Sequence, residues 1–207
     1  ELLARLDYQR DLAGIKAMAK RLYIPAPDPA TLVIEQFDGY RRLEDVSLPE
    51  LKRRMMHPHE YLGGGNGLAT TTQILKQADV VAMLAFFRDC YPRDVLQANW
   101  GYYEPRTEHG SSLSRCHYAL VAAEMDRADC GFDHFLQAAS IDLTGDAKQY
   151  VGTLYIGGTH PAANGGTWMA AVMGYGSLRA GMDGVTIAPK LPAAWKSLRF
   201  QIGRAHV

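Results

Sequence analysis

Residues 151–178 contain no Asp, Glu, Lys or Arg, yet they hold His160, Pro161, Asn164 and many glycines. That run constrains the fold more than any other stretch. A surface segment of this length would carry charge. A membrane span would not be interrupted by Pro, His, Asn and paired glycines. The run is expected to be a buried loop followed by a small-residue, tightly packed helix over 167–178, beginning after Asn164-Gly165-Gly166.

Other helices are expected around it. Residues 2 to about 22 read as an amphipathic helix, with Leu12, Ile15, Ala19 and Leu22 at helical spacing; Pro25, Pro27 and Pro29 end it. Residues 32–37 form a short apolar, extended run stopped by Asp38-Gly39. A short helix is expected over 48–56, with Ser47 as N-cap and Pro49 at its first position. Gly63-Gly64-Gly65-Asn66-Gly67 must be irregular; no Lys-Ser/Thr follows it, so it does not match a phosphate-cradling loop. Thr70-x-x-Gln73 reads as a capping box opening a helix over 74–87. Further helices are expected over 111–125, with a serine cap, and over 132–141. Past Gly181 the texture changes: residues 185–189 and 198–202 alternate as strands do. No solenoid-type repeat is present.

Lys+Arg and Asp+Glu balance at 22 each. There is no basic excess to argue for nucleic acid and no polybasic arm for a membrane. Cys90, Cys116 and Cys130 suggest neither a disulfide framework nor a metal clip, so a reducing, cytoplasmic setting is expected. His57-Pro58-His59-Glu60 has metal-ligand residue types but not the spacing of a helical zinc pair, and no metal is expected. The chain starts at Glu1 in what reads as a running helix, which is expected of a fragment.

The chemistry concentrates in Tyr102-Tyr103-Glu104-Pro105-Arg106-Thr107-Glu108-His109-Gly110-Ser111-Ser112-Leu113-Ser114. Such polarity suits a loop emptying into a helix N-terminus. Pro105 biases Glu104 toward an extended loop edge, where its carboxylate can act as a general base or accept bonds from sugar hydroxyls; the plainer alternative is a surface pair with Arg106. Ser111, Ser112 and Ser114 are helix caps or anion ligands. Asn164-Gly165-Gly166-Thr167 suggests a second helix start, so the two together could cradle a phosphate, with His109 and His160 a few residues before each. Lys76 and Gln77 sit near the expected start of an apolar helix, where they could donate to hydroxyls; a snorkelling Lys is the alternative.

With these residues in view, the chain resembles glycoside hydrolase family 65, which includes maltose, trehalose, kojibiose and nigerose phosphorylases. The resemblance rests on Ile34-Glu-Gln-Phe-Asp-Gly-Tyr40, Glu60-Tyr-Leu-Gly-Gly64, Leu75-Lys-Gln-Ala-Asp-Val-Val81, Tyr103-Glu-Pro-Arg-Thr107, Ser111-Ser-Leu-Ser114, Gly158-Thr-His-Pro-Ala-Ala-Asn-Gly-Gly-Thr-Trp168 and Leu191-Pro-x-x-Trp195. It implies a mainly α chain: the C-terminal part of an (α/α)6-barrel catalytic domain over residues 1–180, then the first strands of a C-terminal β-sheet domain over 181–207. It implies inverting attack of inorganic phosphate on an α-glucosidic bond, releasing β-glucose 1-phosphate without a cofactor. Lys76 and Gln77 would hold the glucosyl unit, Glu104 would line the same subsite, and Ser111, Ser112, His160, Gly165, Gly166 and Thr167 would bind phosphate. Expected partners are the disaccharide, phosphate, the rest of the catalytic domain and a second copy of the protein, with no nucleic acid or membrane.

Two features depart from the family pattern. The family's general acid lies in a Gly-Pro-Asp-Glu-Tyr-like motif upstream of the matched region, and this chain has none. Gly110 stands where many members carry Asp. The alternatives are a hydrolase of the same fold, with Glu104 activating water, and a non-catalytic carbohydrate-binding module.

Overall fold

The computed structural model describes residues 12–56, 62, 67–77, 79–143, 149–151, 154–156 and 158–201. The expectations for residues 2–11, His57–Glu60, Gly63–Asn66 and Ile202 lie outside them.

The described chain is helix-rich. Helix α1 spans Leu12–Arg21 and buries no residue; Ile15 and Met18 project into solvent. Helix α2, Leu48–Arg53, begins as expected: the Ser47 side chain accepts from the Glu50 N–H. Pro49 takes the second helical position. Then follow α3 (Asp79–Phe86), α4 (Arg93–Tyr103), α5 (Ser114–Glu124) and α6 (Phe132–Ala139). Helix α7, Pro161–Met169, runs on into a π-helical turn, Ala170–Tyr175. Two antiparallel hairpins complete the set: β1 (Gln149–Val151) with β2 (Leu154–Ile156), and β3 (Arg179–Gly181) with β4 (Gly184–Thr186). No described helix is long and apolar enough to cross a membrane.

Helix α5 is the hub. Tyr118 to Glu124 are buried without a break, so the helix has no solvent face over that span. Helices α3, α4, α6, α7 and the π turn all pack on it. The segment leading into α6 comes close, and Gly131 is the reason: a Cβ there would lie 2.9 Å from the Ala119 Cα. The chain beyond β4 returns to this core. Trp195 packs edge-on against Phe132, Phe135 and Tyr175, and the Lys190 N–H donates to the Tyr175 carbonyl.

Three local expectations are corrected. Thr70-x-x-Gln73 does not open a helix. Residues 68–71 form a 3-10 turn, and Gln73 is drawn into tertiary bonds: its amide donates to the Leu43 carbonyl at 3.1 Å, and its Oε1 accepts from the Tyr102 hydroxyl at 2.5 Å. The helix therefore starts at Asp79. Asn164-Gly165-Gly166-Thr167 lies inside α7, not before it, because Pro161 already sets the first turn. Residues 198–201 form no strand; Leu198 packs on the helical core instead, while the alternating run at 185 contributes to β4.

Candidate active site

The polar stretch read from the sequence becomes one 3-10 turn and a loop between α4 and α5. Tyr103, fully buried, ends α4 and donates from its hydroxyl to the Ile34 carbonyl. Glu104–Arg106 makes the turn, with Pro105 inside it. Arg106 is fully engaged elsewhere: Nε and Nη2 donate to the two Asp45 oxygens at 3.0 and 2.7 Å, and Nη1 donates to the Tyr102 carbonyl. Glu104 is thus not its partner, and the carboxylate is left for other work.

A single parallel bridge brings the expected sugar-side residues alongside. The Leu75 N–H donates to the Arg106 carbonyl at 2.8 Å, and the Glu108 N–H donates to the Leu75 carbonyl at 2.7 Å. Lys76 and Gln77 follow directly. They occupy a bend ahead of α3 rather than the helix itself, because these backbone bonds hold the segment extended. The Gln77 amide donates to Asp79 at 3.3 Å. Burial raises the Glu108 carboxyl above its usual range, partly opposed by Lys52 and Lys76. A Cβ at Gly110 would lie 3.3 Å from the Glu108 carboxylate and 3.5 Å from the Lys76 side chain.

On the other side of Glu104 stand two histidines and an arginine. His134, from α6, puts Nε2 3.7 Å from Glu104 Oε1. Its Nδ1 lies 3.2 Å from Nη1 of Arg115, which comes from the first turn of α5. His109 is held at φ 58, its Nδ1 2.9 Å from the Ser114 Oγ, and its buried Nε2 has no hydrogen-bond partner. The imidazole rings of His109 and His134 are 4.9 Å apart, and both pack on Tyr118. Burial, followed by the Arg115 charge, depresses His109 to about 3 and His134 to about 4, so both are neutral near pH 7.

One ligand atom each from Glu104, His109 and His134 lies within 4.8 Å of the others, which is the spacing of a metal site. The proton arrangement does not fit one. A guanidinium only donates, so His134 Nδ1 must accept from Arg115 and the ring proton sits on Nε2. A metal needs a lone pair at that nitrogen. The cluster suits a hydrogen-bond array around the carboxylate instead. Neither Arg115 nor His134 was singled out from the sequence; the only signal was a His and an Arg on two helices otherwise facing a core.

The expected phosphate ligands fare unevenly. Ser111 and Ser112 are half-buried in the turn before α5, but neither caps it: the N-cap position is Leu113, and Ser111 Oγ accepts from the Leu113 N–H, at 3.3 Å. Gly165, Gly166 and Thr167 sit in the body of α7. Backbone donors there are committed from Asn164 onward, whose N–H reaches the His160 carbonyl, and Thr167 Oγ1 donates to the Ala163 carbonyl. An anion cradle of two facing helix starts is therefore not formed. The helices nevertheless meet in the right region. Gly166 lies against Cys116, whose thiol donates to the Leu113 carbonyl, so α7 abuts the turn that carries the serines. His160 is oriented by a residue the sequence did not flag: Asp142 accepts from the His160 backbone N–H and pairs with its Nδ1 at 2.7 Å, which leaves Nε2 for a ligand. Gln77, Ser114 and His117 line a cavity of about 70 Å³, room for about two waters and too small for a sugar ring.

Residues 5–169 match the profile of the glycosyl hydrolase family 65 central catalytic domain. The chain belongs to that family. It is 45% identical over 202 residues to the nigerose phosphorylase of Lachnoclostridium phytofermentans, covering 98% of this chain and 27% of that protein. It is 39% identical over 217 residues to the 1,2-alpha-glucosylglycerol phosphorylase of Bacillus selenitireducens, covering 97% and 28%. A solved structure of a kojibiose phosphorylase candidate from the human microbiome superposes with a TM-score of 0.71 at 28% identity, over 90% of this chain and 24% of that one. The chain thus spans about a quarter of the length of the family 65 relatives it matches.

Proposed function

We propose that this chain forms part of the catalytic domain of an inverting disaccharide phosphorylase. Phosphate oxygen would attack the anomeric carbon of an α-linked glucosyl unit as the glycosidic C–O bond breaks; the leaving oxygen takes a proton from an acid, and β-glucose 1-phosphate departs. The observation that carries the reading is the Leu75–Thr107 bridge, which sets Lys76 and Gln77 beside the turn bearing Glu104 in a chain of family 65. In this reading Lys76 and Gln77 hold the glucosyl unit and Glu104 contacts it. Phosphate is bound by Ser111, Ser112 and His160, with Gly165, Gly166 and Thr167 shaping the α7 wall rather than donating backbone N–H groups.

Residues 1–180 are then part of an (α/α)6 barrel. Residues 181–207 begin a β-rich domain whose first segment lies back on the helices through Trp195. The rest of the barrel, or a second copy, covers the bare apolar stripe of α1. The setting is cytoplasmic, and phosphate is a co-substrate rather than a cofactor.

The test is phosphate dependence. A polypeptide joining this chain to an upstream general-acid segment should release glucose 1-phosphate from nigerose, kojibiose, trehalose, maltose or glucosylglycerol only when inorganic phosphate is present. This chain alone should be inactive. Glucose release without phosphate would favour the hydrolase, and turnover by this chain alone, abolished by Glu104→Gln, would overturn the division of the site.

A further inference from the structure

We infer that Arg115 and His134 are positioning residues for Glu104: the guanidinium fixes the imidazole tautomer, and the imidazole presents an N–H to the carboxylate. The inference rests on the role proposed for Glu104 above. Three observations carry it. Arg115 Nη1 is 3.2 Å from His134 Nδ1, and because Arg can only donate, the remaining ring proton is placed on Nε2. That Nε2 faces Glu104 Oε1 at 3.7 Å, a separation that shortens to a hydrogen bond with a small movement of a carboxylate that is 38% exposed. The ring itself cannot turn: its side chain is only 9% exposed, between the Tyr118 ring at 5.2 Å, the His109 ring at 4.9 Å and the Trp100 indole at 6.1 Å.

The chemistry follows from that rigidity. Glu104 sits at the end of a short turn and has several staggered rotamers open to it. A fixed N–H selects among them. Glu104 is in turn felt at Arg115 as a favourable charge. The array also accounts for a buried His134 set between Arg115 and Glu104 with no conventional ion pair among the three. His134 stays neutral because it is buried and, after that, because a second proton on Nδ1 would point at the guanidinium.

Two experiments separate this inference from the functional proposal. Nitrogen-15 NMR of the labelled 207-residue chain should find His134 protonated at Nε2 at pH 7, and Arg115→Met should shift it toward a mixture of tautomers. A ring protonated at Nδ1 would overturn the inference whatever the enzyme does, as would one-site zinc binding lost in both Glu104→Gln and His134→Gln. In the active polypeptide, His134→Leu should lower kcat by ~10²-fold with KM for the disaccharide nearly unchanged. His134→Gln, whose amide keeps an N–H at a similar reach, should restore most of that loss. Equal losses in the Leu and Gln variants, or a loss confined to KM, would overturn it. Absence of phosphorolysis in every variant and in the parent would defeat the functional proposal while the NMR result still decided the array.

Discussion

The two ends of α5 both carry clustered charge, and they are built in opposite ways. At its C-terminal end Glu124 is 4% exposed and surrounded by cations: Arg88 at 3.2 Å, Arg179 at 2.6 Å and Lys190 at 4.0 Å. Arg88 also donates to the carbonyls of Met173 and Leu178, which ties the π turn and the residues after it to the end of α5. Asp126 completes the cluster through Lys190 at 2.9 Å. At the N-terminal end His109 is strained and has an orphan nitrogen, His134 meets Glu104 only at 3.7 Å, and Arg115 faces a neutral ring. A completed network serves the fold. A network with open positions is what a ligand completes.

That contrast makes different demands on substitutions. The largest effect belongs to the completed end. Glu124→Leu leaves Arg88 buried without its carboxylate, and the expected loss is about 3–5 kcal/mol of stability, read from denaturant midpoints. A loss under about 1 kcal/mol would erase the distinction between the ends. Next, Glu104→Gln should abolish more than ~10² of the phosphorolytic rate while moving the same midpoint by less than about 1 kcal/mol, because the side chain is partly exposed and has no firm partner. Gly131→Ala is expected to cost about 1–3 kcal/mol, since its Cβ would enter the space of Ala119 and Ala122, and activity should fall only with stability.

The last test is the most discriminating, because the ends titrate in separate windows. His109 and His134 have folded values of about 3 and about 4 against 6.5 when unfolded. The unfolded chain therefore binds their protons first; stability from this end is whole above about 6.5 and falls as the pH drops toward 4 and then 3. His134 also faces Glu104 and Asp133, and both histidines feel Arg115. Asp126 lies on the other side: Lys190 holds its carboxyl below 3.8, so its contribution persists until the pH falls below that value. Replacing both histidines, His109→Asn with His134→Gln, should flatten the stability profile between pH 6.5 and 4 and leave the Asp126 limb below 3.8 in place.

The sequence disclosed features that are local and missed those that are bought by distance. Ser47 with Pro49 foretold α2 because the cap and its target N–H are three residues apart. The Thr70–Gln73 pattern had the same local signature, but Gln73 found better partners some thirty residues away at Leu43 and Tyr102. Asn164-Gly165-Gly166 looked like a helix start because glycines usually interrupt helices; here Gly166 is required inside one, where α7 meets Cys116. Glu104, His160, Lys76 and Gln77 were legible as residue types in a family pattern. Their supports, His134, Arg115 and Asp142, were not, since nothing in a linear chain marks which buried side chain a carboxylate or a ring will meet.

The bridge between Leu75 and Thr107 has a consequence for how this protein can change over time. Residues on successive positions of an extended segment face opposite ways, so inserting or deleting one residue beside Thr107 would exchange Thr107 and Glu108 and shift Glu104 relative to Lys76 and Gln77. The connection between α3 and α4 takes no part in the bridge; beyond Arg88, which Glu124 holds, it can lengthen without shifting the register at either strand of the bridge. Length variation is therefore expected in the connecting loops, while the spacing from Glu104 to Glu108 stays fixed.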